Sequence, residues 1–151
     1  MTQETASQPA APAALEVVLA EGEQGANIVA KLLKQHIDAI VAADPSKAAK
    51  ARAIRGKLGV HSTEPDEKVT LVFDGDRVVI RNGFDPDLDG AITGPLKLQT
   101  EALAGIANPY REILRRKLKV RIKPMRPFFT SQTYAFLKVP PSMRAAQPPP
   151  A

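Results

Sequence analysis

Cysteine and tryptophan are absent from this 151-residue chain, histidine occurs only twice, and aromatic residues make up 5%. Without cysteine there is no disulfide, no thiol nucleophile and no cysteine-based metal site. The same absence fits a reducing compartment. His36 and His61 belong to no ligand cluster such as His-Glu-x-x-His, and Ser46, Ser62, Ser131 and Ser142 lie in no Gly-x-Ser-x-Gly elbow. A phosphate loop and a dinucleotide fingerprint are also missing. With no nucleophile, metal set or cofactor loop, the expectation is a protein that is not an enzyme and needs no cofactor. No apolar run approaches the roughly 20 residues of a spanning helix. The opening Met1-Thr2-Gln3-Glu4 lacks the basic start and apolar core of a signal peptide. A soluble, cytoplasmic protein of bacterial type is therefore expected.

Proline is plentiful, and seven of its fourteen copies stand at the ends: Pro9, Pro12, Pro140, Pro141, Pro148, Pro149 and Pro150. Residues 1–14 and 140–151 carry only Glu4 and Arg144 as charges, and no aromatic side chain. Such segments bury too little apolar surface to offset the entropy of ordering, so both read as disordered tails. The composition of 44% hydrophobic and 25% charged residues suits a single domain over 15–139.

Ile28, Val29, Leu32, Leu33, Ile37, Ile40 and Val41 recur at helical spacing and predict an amphipathic helix over 26–43. Asp44-Pro45 supplies an N-cap and a first-turn proline for a second helix, through about residue 57. Val69-Thr70-Leu71-Val72-Phe73 and Arg77-Val78-Val79-Ile80-Arg81 are β-rich runs joined by Asp74-Gly75-Asp76, a hairpin signal. A third strand is expected over 89–93. Gly94-Pro95 opens a helix bearing Leu96, Leu103 and Ile106, and Asn108-Pro109 starts a short one through Arg115. Residues 117–123 alternate charged and apolar, as a strand with one apolar face does. Residues 128–137 admit a helix or a strand. The fold class is α+β: one mixed, mostly antiparallel sheet of about five strands with helices packed on one face.

The stretch 69–137 resembles the sterol carrier protein-2 (SCP2-like) lipid-binding domain. The residues that carry this are the hairpin over 69–80, then Asp89-Gly90-Ala91-Ile92-Thr93-Gly94-Pro95-Leu96. A leucine-bearing helix ending Ala104-Gly105, the turn Asn108-Pro109, and Arg116-Lys117-Leu118-Lys119-Val120 follow. Arg116 stands where the family usually has glycine, and Lys123-Pro124-Met125-Arg126-Pro127 replaces the family's tight turn. Residues 56–62 are the nearest counterpart of the family's first strand. The resemblance implies five strands, helices over one face, and an apolar tunnel that binds acyl chains, sterols or prenyl lipids without chemistry. The ligand-binding residues it implies are Leu71, Phe73, Ile80 and Ile92 from strands, with Leu96, Leu103, Ile106 and Leu114 from helices. Leu118, Val120, Ile122, Phe128, Phe129 and Phe136 complete the set. By pattern alone the same side chains also describe an ordinary filled core. In that case the protein is an accessory subunit in lipid or quinone biosynthesis, as some bacterial relatives are.

Two further features of the chain are charged. Asp85-Pro86-Asp87-Leu88-Asp89-Gly90 copies the start of a calcium loop, but position 12 is Leu96, so an acidic turn and no metal is expected. Arg111, Arg115, Arg116, Lys117, Lys119, Arg121 and Lys123 are opposed only by Glu112. This basic face suits solvent, or transient docking to an anionic membrane or an acidic partner protein. Nucleic acid is disfavoured, because no aromatic side chains interleave with the cations. The helix over 26–43 is a candidate lid or homodimer surface.

Overall fold

The computed structural model describes residues 15–141 and Met143. The tails expected over 1–14 and beyond Pro141 lie outside the described residues, apart from Met143. Pro140, expected to belong to the second tail, is buried.

The chain runs β1 (Glu16–Leu19), α1 (Gly22–Gly25), α2 (Ile28–Ala43), α3 (Ser46–Ala53), β2 (Arg55–Thr63), β3 (Asp66–Asp74) and β4 (Arg77–Asn82). It continues with β5 (Gly90–Gly94), α4 (Leu96–Leu103), α5 (Pro109–Leu114), β6 (Lys119–Ile122) and α6 (Phe129–Leu137). The six strands form one sheet in the order β1-β4-β3-β2-β5-β6. Pairs β4–β3, β3–β2 and β5–β6 are antiparallel, while β1–β4 and β2–β5 are parallel.

The sheet is the expected α+β type, but it has six strands rather than about five. The extra strand, β1, is four residues long and pairs in parallel with a partner some 60 residues away (Glu16 opposite Arg77). Local alternation carries no signal for such a pairing. The second helix also ends sooner than expected, at Ala53, and residues 55–57 open β2 instead. Gly56 has a φ of 139°, which no helix accommodates. The 117–123 strand contracts to Lys119–Ile122, because the amides of Lys117 and Leu118 close the preceding turn on the Glu112 carbonyl. Residues 129–137 are helical.

Register places the side chains. Leu19, Ile80, Leu71, Leu58, Gly90 and Ile122 form one row across the helix-covered face, and Asn82, Val69, Val60, Ile92 and Val120 the next. Helix α2 lies on β1, β3 and β4, whereas α6 lies on β2 and β5. The start of α2 is fixed by Asn27, whose side chain accepts from the Ala30 amide at 2.8 Å, and by Glu67, which accepts from the Val29 amide at 2.9 Å. Beneath α2, Val29, Ala30, Ile37, Ile40, Val69, Leu71, Val78 and Ile80 are wholly buried. Phe73 meets Phe129 and Phe136 edge to face, with centroids 6.4 and 5.8 Å apart.

Candidate lipid-binding cavity

Toward the β5–β6 edge of the sheet, α4 and α5 do not close on the strands. Asn108 caps α5 by accepting from the Tyr110 and Arg111 amides at 3.0 and 3.4 Å, with Pro109 in the first turn. From α5 so started, Pro109, Tyr110 and Ile113 face the same space as Val120 and Ile122 of the edge strand. At the other side, α6 approaches β5 closely because Gly90 has no side chain: a Cβ there would lie 2.5 Å from the Thr130 methyl. Helices α4, α5 and α6 thus frame a space that no side chain fills.

That space is a cavity of about 390 Å³. Its walls are Val60, Ile92, Val120 and Ile122 from the sheet, with Leu118 just before β6. Gln99, Ala102, Leu103, Pro109, Tyr110 and Ile113 come from α4 and α5, Thr130, Ser131, Tyr134 and Leu137 from α6, and Leu33 from α2. None of these side chains is charged. Ligand sites run from about 300 to 1,000 Å³, so the volume suits one small apolar molecule or a single chain of one. Tyr110, Ile122 and Ser131 line the cavity and are exposed, so it opens to the surface between α5, β6 and α6.

The polar groups at the walls are few and mostly committed. Gln99 donates its amide to the His61 and Gly94 carbonyls at 3.0 and 2.9 Å, which fastens α4 to β2 and β5. Tyr134 donates to the Ala102 carbonyl at 3.3 Å, joining α6 to α4. Behind Leu137, His36 Nε2 lies 2.6 Å from the Leu137 carbonyl, and the Lys47 ammonium donates to the Ala135 carbonyl at 2.7 Å. Two α2 and α3 side chains therefore satisfy the C-terminal carbonyls of α6. Burial pushes the His36 pKa down, the bond to Leu137 opposes this, and Lys47 adds to the lowering. The ring is neutral at pH 7 and donates from Nε2.

The fourteen expected ligand residues separate into three groups. Ile92, Leu103, Leu118, Val120 and Ile122 line the cavity. Leu71, Phe73, Ile80, Phe129 and Phe136 are buried in the filled core, and Leu96 packs against it. Ile106, Leu114 and Phe128 are exposed and line nothing. For Leu114 the reason is angular: Ile113 lines the cavity, and the next helical residue is turned by about 100° away from it, whereas Ile106 and Phe128 lie outside the helices. Eleven lining residues were not anticipated, among them Tyr110, Thr130 and Tyr134. Thr130, Tyr134 and Leu137 follow helical spacing, so a period count over α6 would have found them.

The acidic turn lies on the opposite side of the sheet. Asp85 pairs with Lys57 at 3.3 Å and Arg81 at 3.1 Å. Asp89 accepts from the Lys57 amide at 2.9 Å and faces Arg126 at 3.4 Å and Lys123 at 3.7 Å. His61 bonds Asp66 at 2.8 Å. Lys117, Lys119, Arg121 and Lys123 are exposed, whereas Leu118 is buried and Val120 half-buried. Glu112 is buried within α5, 3.9 Å from Arg115.

No protein-family model matches the chain, and no curated protein sequence does either. Solved structures do. A UbiJ-SCP2 ubiquinone synthesis protein is similar over 73% of this chain and 93% of its own, with 15% identity and a TM-score of 0.57. The sterol carrier protein domain 2 of Helicoverpa armigera matches 80% of this chain and 91% of its own at 13% identity, TM-score 0.55. The sec-alkylsulfatase Pisa1 from Pseudomonas sp. is similar over 60% of this chain but only 14% of its own, at 13% identity and a TM-score of 0.52.

Proposed function

From an SCP2-like fold whose helices stand off the sheet at one end, we infer that this protein binds and hands over a hydrophobic small molecule without chemistry. A fatty acyl chain, a sterol or an isoprenoid lipid is the class that fits. The observation that supports this is the uncharged cavity of about 390 Å³, open at Tyr110 and Ile122. Each methylene taken out of water contributes about 0.8 kcal/mol, so a long chain gains enough to offset the entropic cost of association with no polar contact at all. Residues Ile92, Leu103, Leu118, Val120 and Ile122 would grip the chain, and the Gln99 oxygen would meet a polar end group. Native mass spectrometry is expected to show an adduct after incubation with palmitate, and palmitate should displace a fluorescent fatty acid. Absence of both the adduct and the displacement would overturn the reading.

A second reading is an accessory subunit of lipid or quinone biosynthesis, favoured by similarity to a ubiquinone synthesis protein. Contact would then run through the basic face, or through α2, whose Ile28 and Leu32 are exposed and suit a homodimer or lid surface. Capture of a biosynthetic enzyme by the lipid-free protein, with no lipid uptake, would favour it over the first.

A further inference from the structure

We propose that the cavity mouth is a docking face for anionic phospholipid bilayers, formed by α5, the turn after it and the β6–α6 connection. Among the described residues, six of the nine exposed large hydrophobic side chains fall between residues 106 and 128. Leu114 is 84% exposed, Met125 83%, Phe128 72% and Tyr110 71%. An aqueous surface gains nothing by presenting so many such side chains along one stretch of chain, on both sides of β6, and their concentration there marks a surface that meets another phase or molecule.

Charge selects which one. Residues 111–126 carry eight Lys and Arg and one acid, leaving thirteen cations and fifteen acids on the rest of the chain. The single acid, Glu112, is buried. Arg111, Arg116, Lys117, Lys119 and Arg121 have no ion-pair partner among the described residues, whereas Lys123 and Arg126 are drawn to Asp89. Arg111, Arg116 and Lys117 therefore flank Leu114 in the chain with unpaired positive charge, and Arg115, 3.9 Å from Glu112, stands next to it. An anionic headgroup layer attracts such a cluster, and the hydrocarbon beneath accepts the apolar side chains between the cations. An acidic protein would satisfy the charge but leaves the aliphatic tips without a matching phase.

Position ties this face to the cavity. Tyr110 and Ile122 line the hollow and are exposed beside these cations, so a docked molecule opens its cavity onto the bilayer and cargo passes without crossing water. The proposal rests on the lipid-carrier reading for its purpose. Docking itself is measured separately, because Leu114, Met125, Phe128, Arg115, Arg116 and Lys117 do not line the cavity.

The test is flotation of the full chain with phosphatidylcholine vesicles, with and without 30 mol% phosphatidylglycerol. Wild-type protein is expected to float with the anionic vesicles at least tenfold more than with neutral ones, and to be released by 0.5 M salt. The triple variant Leu114→Ser/Met125→Ser/Phe128→Ser and the triple variant Arg115→Gln/Arg116→Gln/Lys117→Gln should each lose about tenfold in partitioning. Both should keep a wild-type circular dichroism spectrum and wild-type displacement of fluorescent fatty acid from solution. Equal flotation with neutral vesicles, undiminished flotation of either variant, or a stronger preference for single-stranded RNA than for anionic vesicles would overturn the docking face. Loss of fatty-acid displacement by the wild type would instead overturn the carrier reading.

Discussion

Two halves of one sheet are treated oppositely by the helices above them. Over β1, β4 and β3, helix α2 presses Val29, Ala30 and Ile37 onto Val69, Leu71, Val78 and Ile80, and every one of these is wholly buried. Over β5 and β6, the short helices α4 and α5 and the side of α6 leave about 390 Å³ unfilled, and Val120 and Ile122 stay partly wet. A hollow forfeits dispersion contacts on its lining, so it survives only beside a region that supplies the stability. The filled half is that region; the hollow half is free to be shaped by what it holds.

The division is open to attack by mutation. The largest effect belongs in the filled half: Phe73→Ala removes the ring that joins Phe129 and Phe136, and should cost about 3–5 kcal/mol in urea denaturation. By contrast Ile113→Val, at the cavity wall, should cost less than about 1 kcal/mol, since its methyl groups already face space. A comparable loss from both would erase the distinction. Gly90→Ala comes next, because its Cβ would collide with Thr130 and lift α6; a cost of about 1–3 kcal/mol is expected from the same measurement.

Acid should weaken the seam between the halves. His36 is held below its ordinary pKa of 6.5, so the unfolded chain takes up its proton before the folded one does. Stability is therefore whole above pH 6.5 and declines as pH falls below it until the folded ring itself is protonated. Thermal melts at pH 7.5 and 5.5 should differ by less in His36→Gln than in the wild type. The smallest effect is expected at Arg116, whose φ of 63° is a left-handed conformation strained for any residue with a Cβ. Arg116→Gly should gain about 0.5 kcal/mol, after the extra freedom of glycine in the unfolded chain is deducted.

These contrasts also explain what the chain's letters could reveal. The hairpin Val69–Ile80, the amphipathic α2 and the Asn108-Pro109 start of α5 each follow from neighbours in sequence, and they were legible. So was the alternation about Leu118 and Val120. Strand β1 was not, because its pairing with β4 is parallel and distant. Nor was the hollow, since Leu71 and Val120 look alike in sequence: both are apolar strand residues on the same face of one sheet. What separates them is whether α2 or the gap between α4 and α6 lies above, a matter of helix length and capping summed over the whole fold.

Methyl NMR during a palmitate titration addresses the central claim most directly. The methyl resonances of Val60, Ile92, Leu103, Ile113, Val120 and Leu137 should shift and saturate together, while those of Val29, Ile40, Val78 and Ile80 stay in place. Shifts spread over the α2 side, or no shifts at all at saturating palmitate, would contradict a lipid site in the hollow half.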